Sequence, residues 1–325
     1  MTGLVAFRVV GKRCLTLLRK GSPVLRYSSI PRAVCAPHLF QEVLDKEVGT
    51  TYVPQVPLII MSSQSTQSSS NMPNAWGVAC RPTLLFVAAY ALSITPHEAV
   101  HALTSYLLGF SSTLFHMWVN PDPAEATPRQ LATIAAAGPV FSLAVGVTCW
   151  LLYQRFRRKP AALMFLMLAL VGVYSFLGPL AGSALGGDFS LAFTFLDVPK
   201  AARYAASAIG FVLLPWFMFF MGGKLVGWVP SNFGRAKAVG CTTVAPWLIG
   251  TTLILLVYWP LPSFLIGSTL GGSVFWLFAV VGAIFKFSTP RPAETISSFT
   301  RWDLMITFVA VVLVRLLVNG VRLMR

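Results

Sequence analysis

From residue 80 onward the chain is a succession of apolar windows, each long enough to cross a lipid bilayer. They cover approximately 82–108, 129–153, 161–185, 203–223, 238–258, 261–286 and 303–321. A run of roughly 18 apolar residues reads as a spanning helix, because a helix satisfies its own backbone polar groups where there is no water to do so. The expected fold class is therefore all-α, a polytopic integral membrane protein with six or seven transmembrane helices. Only Trp259-Pro260 separates the fifth and sixth windows, which predicts a tight helical hairpin. The seventh window carries Arg315. It either spans or lies along the interface, with Arg315, Arg322 and Arg325 snorkelling to headgroups.

Composition narrows the partners. Hydrophobic residues make up 56% of the chain and charged residues only 11%, so the lipid bilayer is the first partner. A net charge of +15 invites a nucleic-acid partner. The bases instead cluster between apolar windows, as charges that set membrane orientation do, so no nucleic acid is expected. The run Arg155-Phe156-Arg157-Arg158-Lys159 and the loop with Lys224, Arg235 and Lys237 read as cytoplasmic. The loop with Asp122 and Glu125 reads as external, which puts the N-terminus inside. Cys14, Cys35, Cys80, Cys149 and Cys241 form no CxxC pair, which argues against a disulfide framework or a cysteine zinc site. There is no internal repeat, glycine-rich phosphate loop or nucleotide motif.

Residues 1–60 differ from the rest. Seven bases precede the first acid, Glu42, and Leu4, Phe7, Leu15 and Leu18 fall on one helical face. This fits a mitochondrial targeting peptide processed near Arg26-Tyr27-Ser28, or an over-extended start ahead of Met61. The Ser/Gln-rich segment 61–80 has little to bury and is expected to be disordered. The membrane is then the bacterial cytoplasmic membrane, or the mitochondrial inner membrane as the alternative. Oligomeric state leaves no mark in the sequence.

Inside the first window lies His97-Glu98-Ala99-Val100-His101. Residues i and i+4 share a helix face, so both imidazoles can reach one zinc ion, with Glu98 placed as general base. Ionisable groups are costly in a bilayer and usually mark a working site. A catalytic zinc site needs a third protein ligand. The chain has four histidines, and His116, in the external loop, is one candidate. Asp188, in Gly186-Gly187-Asp188 after the third window, is the better one, because it reaches a similar depth on the same side.

Together, His97-Glu98-Ala99-Val100-His101-Ala102, Leu107-Leu108-Gly109, Ala137-Gly138-Pro139 and Gly187-Asp188 resemble the site-2 protease family of intramembrane zinc metalloproteases, in particular its short bacterial branch. The resemblance covers residues 81–200. It implies a three-helix metalloprotease-like core in which His97, His101 and Asp188 hold Zn2+ and Glu98 is catalytic. The second helix packs through Ala-Gly-Pro, and the substrate is a membrane protein or peptide. Residues 201–325 add transmembrane helices of unknown role. Two features depart from the family: Ser175 and Pro179 are the nearest counterparts of a usual asparagine and proline, at a longer spacing from Asp188, and Phe189 replaces a glycine. An outward-opening site departs from its orientation too. The implied reaction is hydrolysis of a peptide bond within or beside the membrane by metal-activated water. A substrate helix must unwind first, and Gly178, Gly182, Gly186 and Gly187 offer plasticity for that step. The alternative is a non-catalytic transporter, regulator or scaffold that keeps a metal site.

Overall fold

The computed structural model describes residues 75–121, 126–229, 233–287 and 300–324. The expectations for residues 1–74, for His38 and for the acids Asp122 and Glu125 lie outside the described residues. Helix α1 (Ala75–Leu107) is followed by strands β1 (Ser112–Leu114) and β2 (Val119–Pro121), then by α2 (Pro128–Arg155) and α3 (Ala162–Ala181). A short α4 (Asp188–Phe195) leads to α5 (Lys200–Leu225). Helix α6 (Arg235–Val239) runs through two π-helical turns into α7 (Thr251–Val257). The chain ends with α8 (Ser263–Ser273), α9 (Trp276–Lys286), α10 (Arg301–Leu316) and β3 (Val321–Leu323). Among the described residues, six helical segments are long and apolar enough to cross a membrane, counting α6–α7 and α8–α9 as one each.

Helix α1 is the axis of the bundle. Leu85, Phe86, Val87, Ala88 and Ala89 are all buried, so the helix is enclosed on every side rather than on one stripe. It packs against α2, α3, α10 and the π-helical turns. Helices α2 and α3 approach until their backbones touch. A Cβ on Gly172 would lie 2.8 Å from the Gly146 Cα, and such small-residue crossings are how membrane helices pack closely.

One sequence expectation needs correction, and the structure adds detail to two others. Helix α1 begins at Ala75, inside the segment expected to be disordered. Val78 and Ala79 are buried there against Val226, Val229, Val239 and Ala283, partners that lie far away in sequence. The described residues are predominantly helical, as expected, with one small sheet added: β1 pairs antiparallel with β2 on one edge and with β3 on the other. Each strand has three residues, too few to show a period-two pattern. Finally, α10 has 16 residues, short of a full span, yet it follows α1 closely. Arg81 pairs with Asp303 at 3.1 Å, and the Thr307 hydroxyl donates to the Leu84 carbonyl at 3.3 Å. Arg315 has partners within the protein. Its guanidinium donates to the Val257 and Trp259 carbonyls at the end of α7. Arg322 lies in β3, opposite Thr113.

Candidate metal centre

His97 and His101 are both buried, and Pro96 precedes them in α1. Their Nε2 atoms lie 3.1 Å apart. One Asp188 oxygen, Oδ2, is 3.2 Å from the His97 Nε2 and 3.7 Å from the His101 Nε2. An ion with four tetrahedral bonds of about 2.0–2.1 Å spaces its ligand atoms by about 3.3 Å, so the three atoms match the edges of such a tetrahedron. Among the described residues, His97, His101 and Asp188 are the one group of His, Cys, Asp or Glu drawn together this way.

The outer nitrogens explain which atoms face inward. The His101 Nδ1 donates to the Ile134 carbonyl at 2.5 Å, and the His97 Nδ1 lies 2.9 Å from the Ser142 hydroxyl. A carbonyl only accepts, so the His101 Nδ1 carries the proton and the neutral ring offers its Nε2 lone pair to the centre. Ile134, Gly138 and Ser142 are spaced four apart on α2, as the two histidines are on α1, so each set shares a face. The helices run antiparallel: His101 meets Ile134, His97 meets Ser142, and Gly138 lies between. A Cβ on Gly138 would come within 2.7 Å of both the His97 Nε2 and the His101 Cδ2. Only glycine leaves the pair room there, and this is the steric content of Ala137-Gly138-Pro139.

Asp188 opens α4, directly after Gly187. Gly187 has φ +95°, a conformation that L side chains rarely adopt, although a Cβ there would meet nothing within 4 Å. That glycine is needed for backbone geometry, and Gly138 for space. Burial alone would raise the Asp188 carboxyl pKa. Where the two rings are protonated, His101 and His97 outweigh burial and hold it well below the usual carboxylate range; a divalent cation in place of those protons would keep the group anionic in the same way.

Glu98 is half-buried and contributes no atom to the converging set. It lies within electrostatic reach of His97, His101 and Asp188. His116, the other candidate ligand, is elsewhere. It is buried, its Nε2 donates to the Tyr258 carbonyl at 2.8 Å, and it packs edge-on against Trp118. It is therefore a buried strut between the β1–β2 turn and the end of α7. Burial pushes its pKa below the ordinary histidine value, and its Nδ1 has no hydrogen-bond partner among the described residues. Ser175 is buried in α3, with its hydroxyl likewise unpartnered.

Sequence reasoning missed Ser142, the Ile134 carbonyl and the steric role of Gly138. The four-residue spacing of 134, 138 and 142 was available as a signal, but a backbone carbonyl leaves no mark in the residue type. No protein-family model, curated protein or solved structure matches this chain. What it does has to be read from the site.

Proposed function

We propose that the chain is an intramembrane zinc-dependent peptidase of the bacterial cytoplasmic membrane, with the mitochondrial inner membrane as the alternative. The observation that carries this reading is the convergence of two Nε2 atoms and one carboxylate oxygen, with both Nδ1 atoms occupied by α2. The donor set suits zinc, since two imidazoles and a carboxylate leave one position of a tetrahedron open, as catalytic sites require. A zinc ion held there supplies Lewis acidity and brings water toward ionisation at neutral pH.

The chain's own residues do the rest. His97 and His101 offer lone pairs whose direction the Ser142 hydroxyl and Ile134 carbonyl fix. Asp188 adds negative charge, which favours a divalent cation. Glu98, next to a ligand and committed to none, takes the proton from the attacking water and returns it to the leaving amine. The peptide must arrive unwound, because a helical carbonyl is already hydrogen-bonded.

Two measurements test this. Zinc bound per chain should be near one in the purified parent and near zero in His97→Ala/His101→Ala. Glu98→Gln should keep its zinc but lose cleavage of single-span peptides with glycine-rich, loosely helical segments, co-reconstituted in vesicles. Zinc retention with equal cleavage by parent and Glu98→Gln would reject the role of Glu98. Zinc retention with no cleavage of any peptide by the parent would favour the non-catalytic alternative.

A further inference from the structure

We infer that Arg203 is the positioning residue for Asp188, acting through α4; the inference rests on the metal reading above. Asp188 differs from the two histidines in how it is held. The histidines sit within a 33-residue helix enclosed by the bundle. Asp188 opens a helix of eight residues that follows Gly186 and Gly187 and has no side-chain cap at its start. Two glycines fix no direction, so α4 is aimed by its packing on α2, where Ala192 meets Ala132 and Ala135, and by what holds its other end.

Arg203 holds that end from the first turn of α5. Its Nε donates to the Val198 carbonyl at 2.9 Å, its Nη1 to the Thr194 hydroxyl at 2.8 Å and its Nη2 to the Phe193 carbonyl at 3.1 Å. One planar guanidinium thus grips the last turn of α4 and the segment leaving it, in a geometry that an ammonium cannot copy. The cation also lies where the carbonyl ends of α4 point. Thr194 passes the grip back one turn, donating to the Ser190 carbonyl at 2.7 Å.

The same stretch of α5 holds the near side of the glycine pair. The Ser183 hydroxyl donates to the Arg203 carbonyl at 3.1 Å, and the Ser207 hydroxyl donates to the Ala181 carbonyl. Both sides of Gly186-Gly187 are therefore referenced to one turn of α5. Eight helical residues are about 10 Å long, so a tilt of about 10° about the far end would move the carboxylate by nearly 2 Å. Metal–ligand bonds tolerate about 0.2 Å.

The test is Co2+ binding by the full-length protein in detergent, followed by the visible bands of the bound ion, with parent, Arg203→Gln, Arg203→Lys, Asp188→Ala and the double variant Asp188→Ala/Arg203→Gln. Arg203→Gln should weaken binding roughly tenfold or more and alter the bands, as losing the support of a ligand does. Arg203→Lys should recover part of both, and it keeps the question answerable if the glutamine variant does not assemble. The double variant should bind no more weakly than Asp188→Ala alone, because Arg203 acts only through that carboxylate. Losses that multiply in the double variant, or parent-like binding by Arg203→Gln, would overturn the inference. Failure of the parent itself to bind Co2+ would overturn the metal reading, and this inference with it.

Discussion

At the scale of single residues, the site depends on where side chains are missing as much as on where they are present. Gly138 is the clearest case. Gly138→Ala puts a methyl group against both imidazoles, so the rings must rotate or α2 must move away. Overpacking of this kind costs about 1–3 kcal/mol, and here part of that cost falls on metal geometry. The expected outcome is a folded protein with clearly reduced zinc content, measured by elemental analysis beside a thermal melt. A variant that melts like the parent and holds zinc like it would show that the close approach does not matter. His116 gives a second residue-scale expectation. Its folded pKa lies below the ordinary 6.5, so below pH 6.5 the unfolded chain binds the extra proton more readily than the folded one. Its contribution to stability is complete above that pH and is lost as pH falls below it. His116→Gln keeps a donor for the Tyr258 carbonyl and does not titrate. Melting temperature measured from pH 7.5 to 5 should therefore fall less steeply in the variant than in the parent. His97, His101 and Asp188 were legible because their spacing and their setting in an apolar chain are written in residue types. Ser142 and Ile134 were not, because their role depends on which face of α2 meets α1.

At the scale of elements, long helices were readable and their ends were not. The apolar windows correspond to the long helices because twenty or so apolar residues have few other ways to exist in lipid. The start of α1 at Ala75 was hidden, since Val78 and Ala79 are buried only by partners more than 140 residues later. Helix α10 was hard to classify because its window carries Arg315. Another charge, Asp303 near its start, is paired with Arg81, a partner that the sequence does not point to. Both side chains are almost fully buried, and Arg81 also donates to the Pro160 carbonyl at 2.9 Å. Asp303 further accepts from the Thr300 amide at 2.8 Å, closing a capping box at the start of α10. Removing one partner of a buried pair leaves an uncompensated charge, at a cost of about 3–5 kcal/mol. Arg81→Leu should therefore lower the melting temperature strongly, and Arg81→Leu/Asp303→Asn should recover much of the loss, because asparagine still caps Thr300 and carries no charge. A double variant that melts below the single one would mean that Asp303 without Arg81 is not an uncompensated charge.

At the scale of the whole molecule, the two ends of the bundle differ in charge and in content. The Arg155–Lys159 run, Lys224, Arg235, Lys237, Lys286 and Arg301 lie at the ends of α2, α5, α6, α9 and α10 that gather around the start of α1. Their common location follows from two contacts: Arg81 reaches the Pro160 carbonyl, and Val78 packs against Val226 and Ala283. His97 lies about 33 Å along α1 from Ala75, at the opposite end, with α4, the start of α5 and the three-stranded sheet. Concentrated bases mark the cytoplasmic side, so the proposed metal centre is expected to open away from the cytosol. Single cysteines at Gln154 and Ala201, in a background with the five native cysteines replaced, report the two ends. Both positions are exposed, the first at the end of α2 and the second at the start of α5, close to Arg203. An impermeant thiol reagent applied to intact cells should label the cysteine at 201 and spare the one at 154 until the membrane is opened. Labelling at 154 alone would reverse the orientation, place the site on the cytosolic side, and leave the basic end to be explained by something other than the membrane's charge rule.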